Sequence, residues 1–115
     1  EINRAAVQIA HKAAEGKNVL VAGGLSTTWV YDPANPLCSD HVRTLMDRQI
    51  EVQLDEGVDF FIAETFYYLG EAQIALEQVK KTGLPVMVTM LPRISLRRYT
   101  TTAAVKSARS SLSVF

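Results

Sequence analysis

The sequence predicts an α/β fold in which short parallel strands alternate with helices. Three observations carry this expectation. Short continuous apolar runs recur at residues 18–22, 58–63 and 86–90. Stretches with apolar residues at helical spacing precede and separate them. A glycine follows each helical stretch, at positions 16, 57 and 83. Strands alternating with helices pair in parallel through right-handed crossovers. Continuous apolar runs suit strands covered on both faces.

The elements are expected in the order α-β-α-β-α-β. Residues 2–14 place Ile2, Ala5, Ala6, Ile9, Ala10 and Ala13 on one helical stripe, and Gly16 ends the pattern. Asn-Val-Leu-Val-Ala at 18–22 is the first strand, ended by Gly23-Gly24. A long loop with Pro33, Asn35 and Pro36 follows, and Cys38 falls in it. Ser39 is the expected N-cap of the next helix, with Asp40 in its first turn and Val42, Leu45, Met46, Ile50 and Leu54 inward. Gly57 closes that helix. Residues 58–63 form the second strand, which ends at Glu64. Gly70 to Thr82 is the third helix, with Ala72, Ala75, Leu76 and Val79 inward; Gly83 and Pro85 stop it. Residues 86–90 are the third strand.

Composition narrows the function classes. The 115 residues are 48% apolar, enough for one packed domain. The net charge is zero, which gives no reason to expect nucleic acid as a partner. No apolar run is long enough to span a membrane, so no membrane partner is expected either. Cys38 is the only cysteine, which excludes an intrachain disulfide and a thiolate-rich zinc site. A reducing, cytoplasmic setting is the default expectation. The chain opens on Glu1-Ile2-Asn3 inside a helical pattern, as an internal piece of a longer protein would.

One boundary is sharp. Residues 1–90 hold 7 basic and 12 acidic residues, whereas residues 91–115 hold 5 basic and no acidic residue. The two parts are read as a β/α domain, 1–90, and a divergent basic tail rich in Ser and Thr, 91–115. A solvated helix around residues 101–113 is one reading of the tail. A frameshifted or misjoined junction is the preferred one.

Residues 2–90 resemble the homocysteine S-methyltransferase family, with its betaine-using branch and bacterial relatives nearest. The resemblance rests on several blocks in order: Ile2-Asn3-Arg4-Ala5-Ala6, Val21-Ala22-Gly23-Gly24-Leu25-Ser26, Asp59-Phe60-Phe61-Ile62-Ala63-Glu64-Thr65-Phe66, Glu71-Ala72, and Gly83-Leu84-Pro85-Val86-Met87-Val88-Thr89-Met90. It implies part of a (β/α)8 TIM barrel, with these strands as its third, fourth and fifth. It also implies methyl transfer from an onium donor, of the betaine or S-methylmethionine type, to the zinc-bound thiolate of homocysteine, giving methionine. The family's zinc sits on three cysteines in later Gly-x-Asn-Cys and Gly-Gly-Cys-Cys blocks. Neither block occurs here. No metal ligand and no catalytic residue is therefore assigned, and the chain alone is expected to be inactive.

The expected substrate-binding residues are Glu64, Gly23, Gly24, Ser26 and Thr65. Glu64 ends a strand, and the carboxyl ends of barrel strands carry the active site. A carboxylate there needs a cationic partner; the resemblance supplies the α-ammonium of homocysteine. The structural reading is a Glu paired to Lys or Arg, or capping the next helix. Gly23 and Gly24 either let a ligand approach the backbone or merely turn the chain. Ser26 and Thr27 are candidate donors to the substrate carboxylate. Betaine-using members tend to carry Tyr where this chain has Thr65, which leaves S-methylmethionine or another onium donor open.

Trp29 and Tyr31 offer aromatic faces that attract onium groups, although ordinary loop packing is the preferred reading. His11 and His41 read as surface residues and Asp59 as structural. Lys80 and Lys81 form a solvated helix end. Met87 and Met90 read as core, with Met90 bordering the pocket. A truncated half-barrel acting only through interactions, or as a non-functional product, is the alternative function. A pterin-binding barrel is the third reading; the Glu-Thr-Phe block does not suit it. The oligomeric state is left open, a homo-oligomer included.

Overall fold

A computed structural model describes residues 1–91 of the chain. The elements are α1 (Ile2–Ala14), β1 (Ala22–Leu25), α2 (Cys38–Asp55), β2 (Phe60–Phe66), α3 (Leu69–Lys80) and β3 (Val86–Met90). The strands form one sheet in the order β1-β2-β3, parallel throughout. The α/β class and the element order are as the sequence predicts. Apart from Leu91, the expected tail lies outside the described residues.

Side-chain alternation divides the sheet into two unlike faces. Gly23, Leu25, Phe61 and Ala63 are buried on one face. Val42, Met46 and Ile50 of α2 and Ala72, Ala75 and Val79 of α3 share one core with them, and Phe61 and Phe66 are its largest members. Each fully buried Phe contributes about 1.5–3 kcal/mol of transfer free energy. The other face holds Ala22, Gly24, Phe60, Ile62, Glu64, Met87 and Thr89, of which Gly24, Glu64, Met87 and Thr89 are exposed. The strands were expected to be covered on both faces; among the described residues they are covered on one.

The first strand lies further along than expected. Val19 and Leu20 are exposed, and the ladder begins at Ala22. Asp59 explains the shift. Its Oδ2 accepts the Val21 N–H at 2.7 Å, and its own N–H donates to the Val21 carbonyl at 2.8 Å. This sets Ala22 opposite Phe60, so Gly23 and Gly24 continue the strand and do not end it. Asp59 has the structural role expected of it. The second strand runs through Glu64 to Phe66, with an irregularity between Ala63 and Phe66. Burial of Phe66 carries it past the expected end.

The helix boundaries are close to expectation. Gly16, Gly57 and Gly83 hold φ of 71°, 80° and 77°, which only glycine adopts without strain. The helix starts differ. Leu37, not Ser39, precedes α2, and no side chain caps it. Cys38 is the first residue of α2, not part of the loop. The inward stripe of α1 also differs: Val7 is buried and Ala10 and Ala14 pack against the core, while Ile2 and Ile9 are exposed. Polar contacts fix this rotation. Arg4 pairs with Glu56, Gln8 Nε2 donates to Glu56 Oε2 at 2.9 Å, and His11 Nε2 lies 2.9 Å from the Glu56 carbonyl oxygen. Met87 and Met90 were expected in the core; they are 50% and 40% exposed. They lie on β3, an edge strand of the described sheet.

Candidate functional site

The carboxyl ends of the three strands bring the expected site residues together. Register pairs Leu25 with Ala63, which sets the Ser26 end of β1 beside Glu64 of β2. Glu64 is exposed on the uncovered face. Among the described residues the ion pairs are those of Arg4 with Asp55 and Glu56, and of Arg43 with Glu77, so Glu64 joins none. It does not cap α3 either: Tyr68 holds that position, without a side-chain hydrogen bond.

Thr65 has φ of 64°. A β-branched residue in the left-handed region is a genuine outlier, and such strain gathers at functional sites. Its N–H donates to Thr89 Oγ1 at 3.2 Å. The turn it makes carries the chain from the exposed Glu64 to the buried Phe66.

The two glycines serve different ends. A Cβ at Gly24 would meet nothing within 4 Å, so this position is open to a ligand. A Cβ at Gly23 would lie 2.6 Å from Gln53 Oε1 and 2.7 Å from Phe61 Cε1. The missing side chain at Gly23 therefore serves packing on the helix-covered face. Gln53 belongs to the same arrangement, since its Nε2 donates to the Gly24 carbonyl at 3.0 Å.

Ser26 is exposed, whereas Thr27 is committed elsewhere. Its hydroxyl donates to Glu71 Oε2 at 2.7 Å. The Thr28 N–H and hydroxyl both donate to Glu71 Oε1 at 2.7 Å. Thr27 was expected to face a substrate carboxylate; it holds a protein carboxylate instead. Glu71 itself is fully buried in the first turn of α3. Sequence reasoning used Glu71 only as part of a motif. An acid opening a helix and a Thr-Thr pair after the first strand are each visible in the sequence, but nothing in it joins the two.

Trp29 does not show the loop packing expected of it. It is 80% exposed and has φ of 63°. Its ring centroid lies 5.8 Å from that of Tyr67, tilted by 48°, and Tyr31 lies 5.6 Å from Tyr68, tilted by 42°. With Thr27 these four rings line a cleft of about 420 Å³. Neither Tyr67 nor Tyr68 was singled out from the sequence.

Metal-ligand chemistry does not assemble here. No group of three or more His, Cys, Asp or Glu among the described residues could hold a metal ion. The Cys38 thiol exchanges hydrogen bonds with the Asp32 backbone, at 3.2 and 3.3 Å. The zinc implied by resemblance does not fit the residues present. No described helix is long and apolar enough to cross a membrane.

The family model for homocysteine S-methyltransferases matches residues 1–115. The chain belongs to this family. It is 38% identical over 92 residues to betaine–homocysteine S-methyltransferase 1 of Rattus norvegicus, covering 78% of this chain and 22% of that protein. The same enzyme of Sus scrofa is 39% identical over 92 residues, 32% of its length. S-methylmethionine–homocysteine S-methyltransferase of Mus musculus is 37% identical over 89 residues, which cover 77% of this chain and 24% of the relative. The chain thus spans less than a third of each of these proteins. Relatives that use either donor match this homocysteine S-methyltransferase segment about equally well, so the match does not favour one donor.

Proposed function

We propose that this segment supplies three adjacent strands of an eight-stranded β/α barrel and the ammonium-binding carboxylate of a homocysteine methyltransferase. One observation supports this above the others. Glu64 is an exposed acid at the carboxyl end of a parallel strand, without an ion-pair partner among the described residues. A substrate ammonium would complete it. Gly24 leaves room beside it, and Ser26 offers a hydroxyl for the substrate carboxylate. The strained Thr65 holds the strand end in place.

In the reaction proposed, the homocysteine sulfur attacks the donor's methyl carbon. A C–S bond forms as the bond from methyl to the onium atom breaks, and the electron pair stays on the departing amine or sulfide. The part of this chain is to bind and orient homocysteine. No step is assigned to zinc, because its ligands are not among these residues. The second reading is a half-barrel without activity of its own that acts through interactions. The setting proposed is cytoplasmic, with homocysteine and a small onium donor as partners.

The test is Glu64→Gln in a protein of the relatives' length that carries this segment. Loss of a charge-assisted contact of about 1.5–3 kcal/mol should raise the homocysteine KM roughly tenfold or more. The donor KM should stay nearly constant. A wild-type homocysteine KM would return Glu64 to a surface role. A methyl-transfer assay on the 115-residue chain itself, with zinc supplied, separates the two readings.

A further inference from the structure

We propose that Glu71 is a positioning residue for homocysteine: it holds the loop after β1 in the one place that sets Ser26 beside Glu64. The connection from β1 to α2 runs from Ser26 to Leu37. Its second half is fixed from within. The Ala34 N–H donates to Asp32 Oδ1 at 2.9 Å, the Asn35 N–H to the Asp32 carbonyl at 3.0 Å, and the Leu37 N–H to Asn35 Oδ1 at 3.1 Å. Among the described residues, 26–31 make no backbone–backbone hydrogen bond. That half is fixed from outside, by the first turn of α3. Thr27 and Thr28 donate to the two oxygens of Glu71, each bond 2.7 Å long. Tyr31 packs so closely on Gly70 that a Cβ there would strike its hydroxyl.

Stability alone does not call for a carboxylate here. Glu71 is fully buried and its bonds come from neutral donors. No Lys or Arg pairs with it among the described residues. Removing a carboxylate from water is costly, and a well-packed apolar side chain often stabilises as much. What short, directed bonds to a charged group add is a fixed geometry. That geometry is referred to Glu64, because both acids lie on the segment that leaves β2. Between them the Thr65 N–H is held by Thr89 Oγ1 at 3.2 Å, and the fully buried Phe66 accepts the Leu91 N–H at 2.9 Å. Glu64 faces the uncovered side, and Glu71 reaches across to the residue after Ser26. Small misplacements of a group that orients substrate are expensive. That the tie serves homocysteine rests on the function proposed above; that Glu71 fixes the loop does not.

Trp29 directly follows Thr28 and is the only tryptophan, so its fluorescence anisotropy decay reports on the loop in the 115-residue chain. Glu71→Gln and Thr27→Val should both enlarge the fast, local component of that decay. Val79→Ala, a core change at the far end of α3, should lower stability without enlarging it. An unchanged decay in Glu71→Gln and Thr27→Val overturns the proposal. In a protein of the relatives' length, Thr27→Val should raise the homocysteine KM roughly fivefold or more with kcat nearly constant. Thr27→Ser, which keeps the donor, should hold a KM near wild type. A wild-type KM in Thr27→Val, where Glu64→Gln raises it, refutes the positioning role and leaves the function standing. Equal KM changes in Thr27→Ser and Thr27→Val refute it as well, because the hydrogen bond would then not be the cause. A wild-type KM in Glu64→Gln together with a loosened Trp29 refutes the function and leaves the hold of Glu71 on the loop standing.

Discussion

The Thr27 hydroxyl donates to Glu71 Oε2 at 2.7 Å across 44 positions of sequence. It ties the loop after β1 to the first turn of α3, and Thr28 doubles the tie from the same loop. Glu71→Gln turns one acceptor into a donor facing donors. A lost bond to a buried charged group costs about 1.5–3 kcal/mol. Urea unfolding should show a loss of that size. Thr27→Val should cost about 1 kcal/mol by itself. The double variant should show coupling, because both changes remove the same bond. Strict additivity would mean that Thr27 and Glu71 do not interact in solution.

Adjacent glycines should respond in opposite ways to the same methyl group. Gly23→Ala drives a Cβ into Phe61 and Gln53, and overpacking of this kind costs about 1–3 kcal/mol. Gly24→Ala meets open space and should be neutral, or stabilising by up to about 1 kcal/mol, since Gly in a strand carries an entropic cost. Thermal unfolding of the two variants decides this. Equal midpoints would contradict the packing described for Gly23.

Thr65→Gly removes a side chain from a left-handed backbone. Relief of such strain is worth about 1 kcal/mol or more, less the added freedom of the unfolded glycine. The net expectation is a small gain in stability. If the strain holds Glu64 in place, the same variant should raise the homocysteine KM in the longer enzyme. A lower midpoint in urea would show that the threonine contributes more contact than strain.

Zinc should not remain on the purified 115-residue chain. Its only cysteine is bonded to the Asp32 backbone, and no cluster of ligands forms among the described residues. Metal analysis after exhaustive dialysis should find well under one zinc per chain. Stoichiometric retention would reveal a ligand set outside residues 1–91.

The order of elements was legible because each joint has a local cause. Gly16, Gly57 and Gly83 mark the helix ends whatever the rest of the chain does. Strand limits were less legible, because they depend on partners. Val19 and Leu20 read as strand by composition, yet the hydrogen bonds of Asp59 to Val21 start the ladder later. The stripe of α1 failed for a similar reason. Arg4, Gln8 and His11 rotate the helix toward Glu56, a residue whose place no periodicity in α1 reports. At the site, Glu64 could be found from its position at a strand end. The partnership of Thr27, Thr28 and Glu71 could not, since it joins the loop after β1 to the first turn of α3, which only the fold brings together.

The two faces of the sheet have a consequence for how this segment can vary. Positions 23, 25, 61 and 63 answer to the helices. Positions 24 and 64 do not. A saturation library selected only for folded protein should therefore show a tolerance that oscillates with a period of two along β2 and leaves Glu64 free to drift. The same library selected for homocysteine turnover in the longer enzyme should close that freedom at 64 and leave the 61 and 63 profile unchanged. Folding and chemistry would then constrain alternate letters of one short word, and each could be rewritten with little effect on the other.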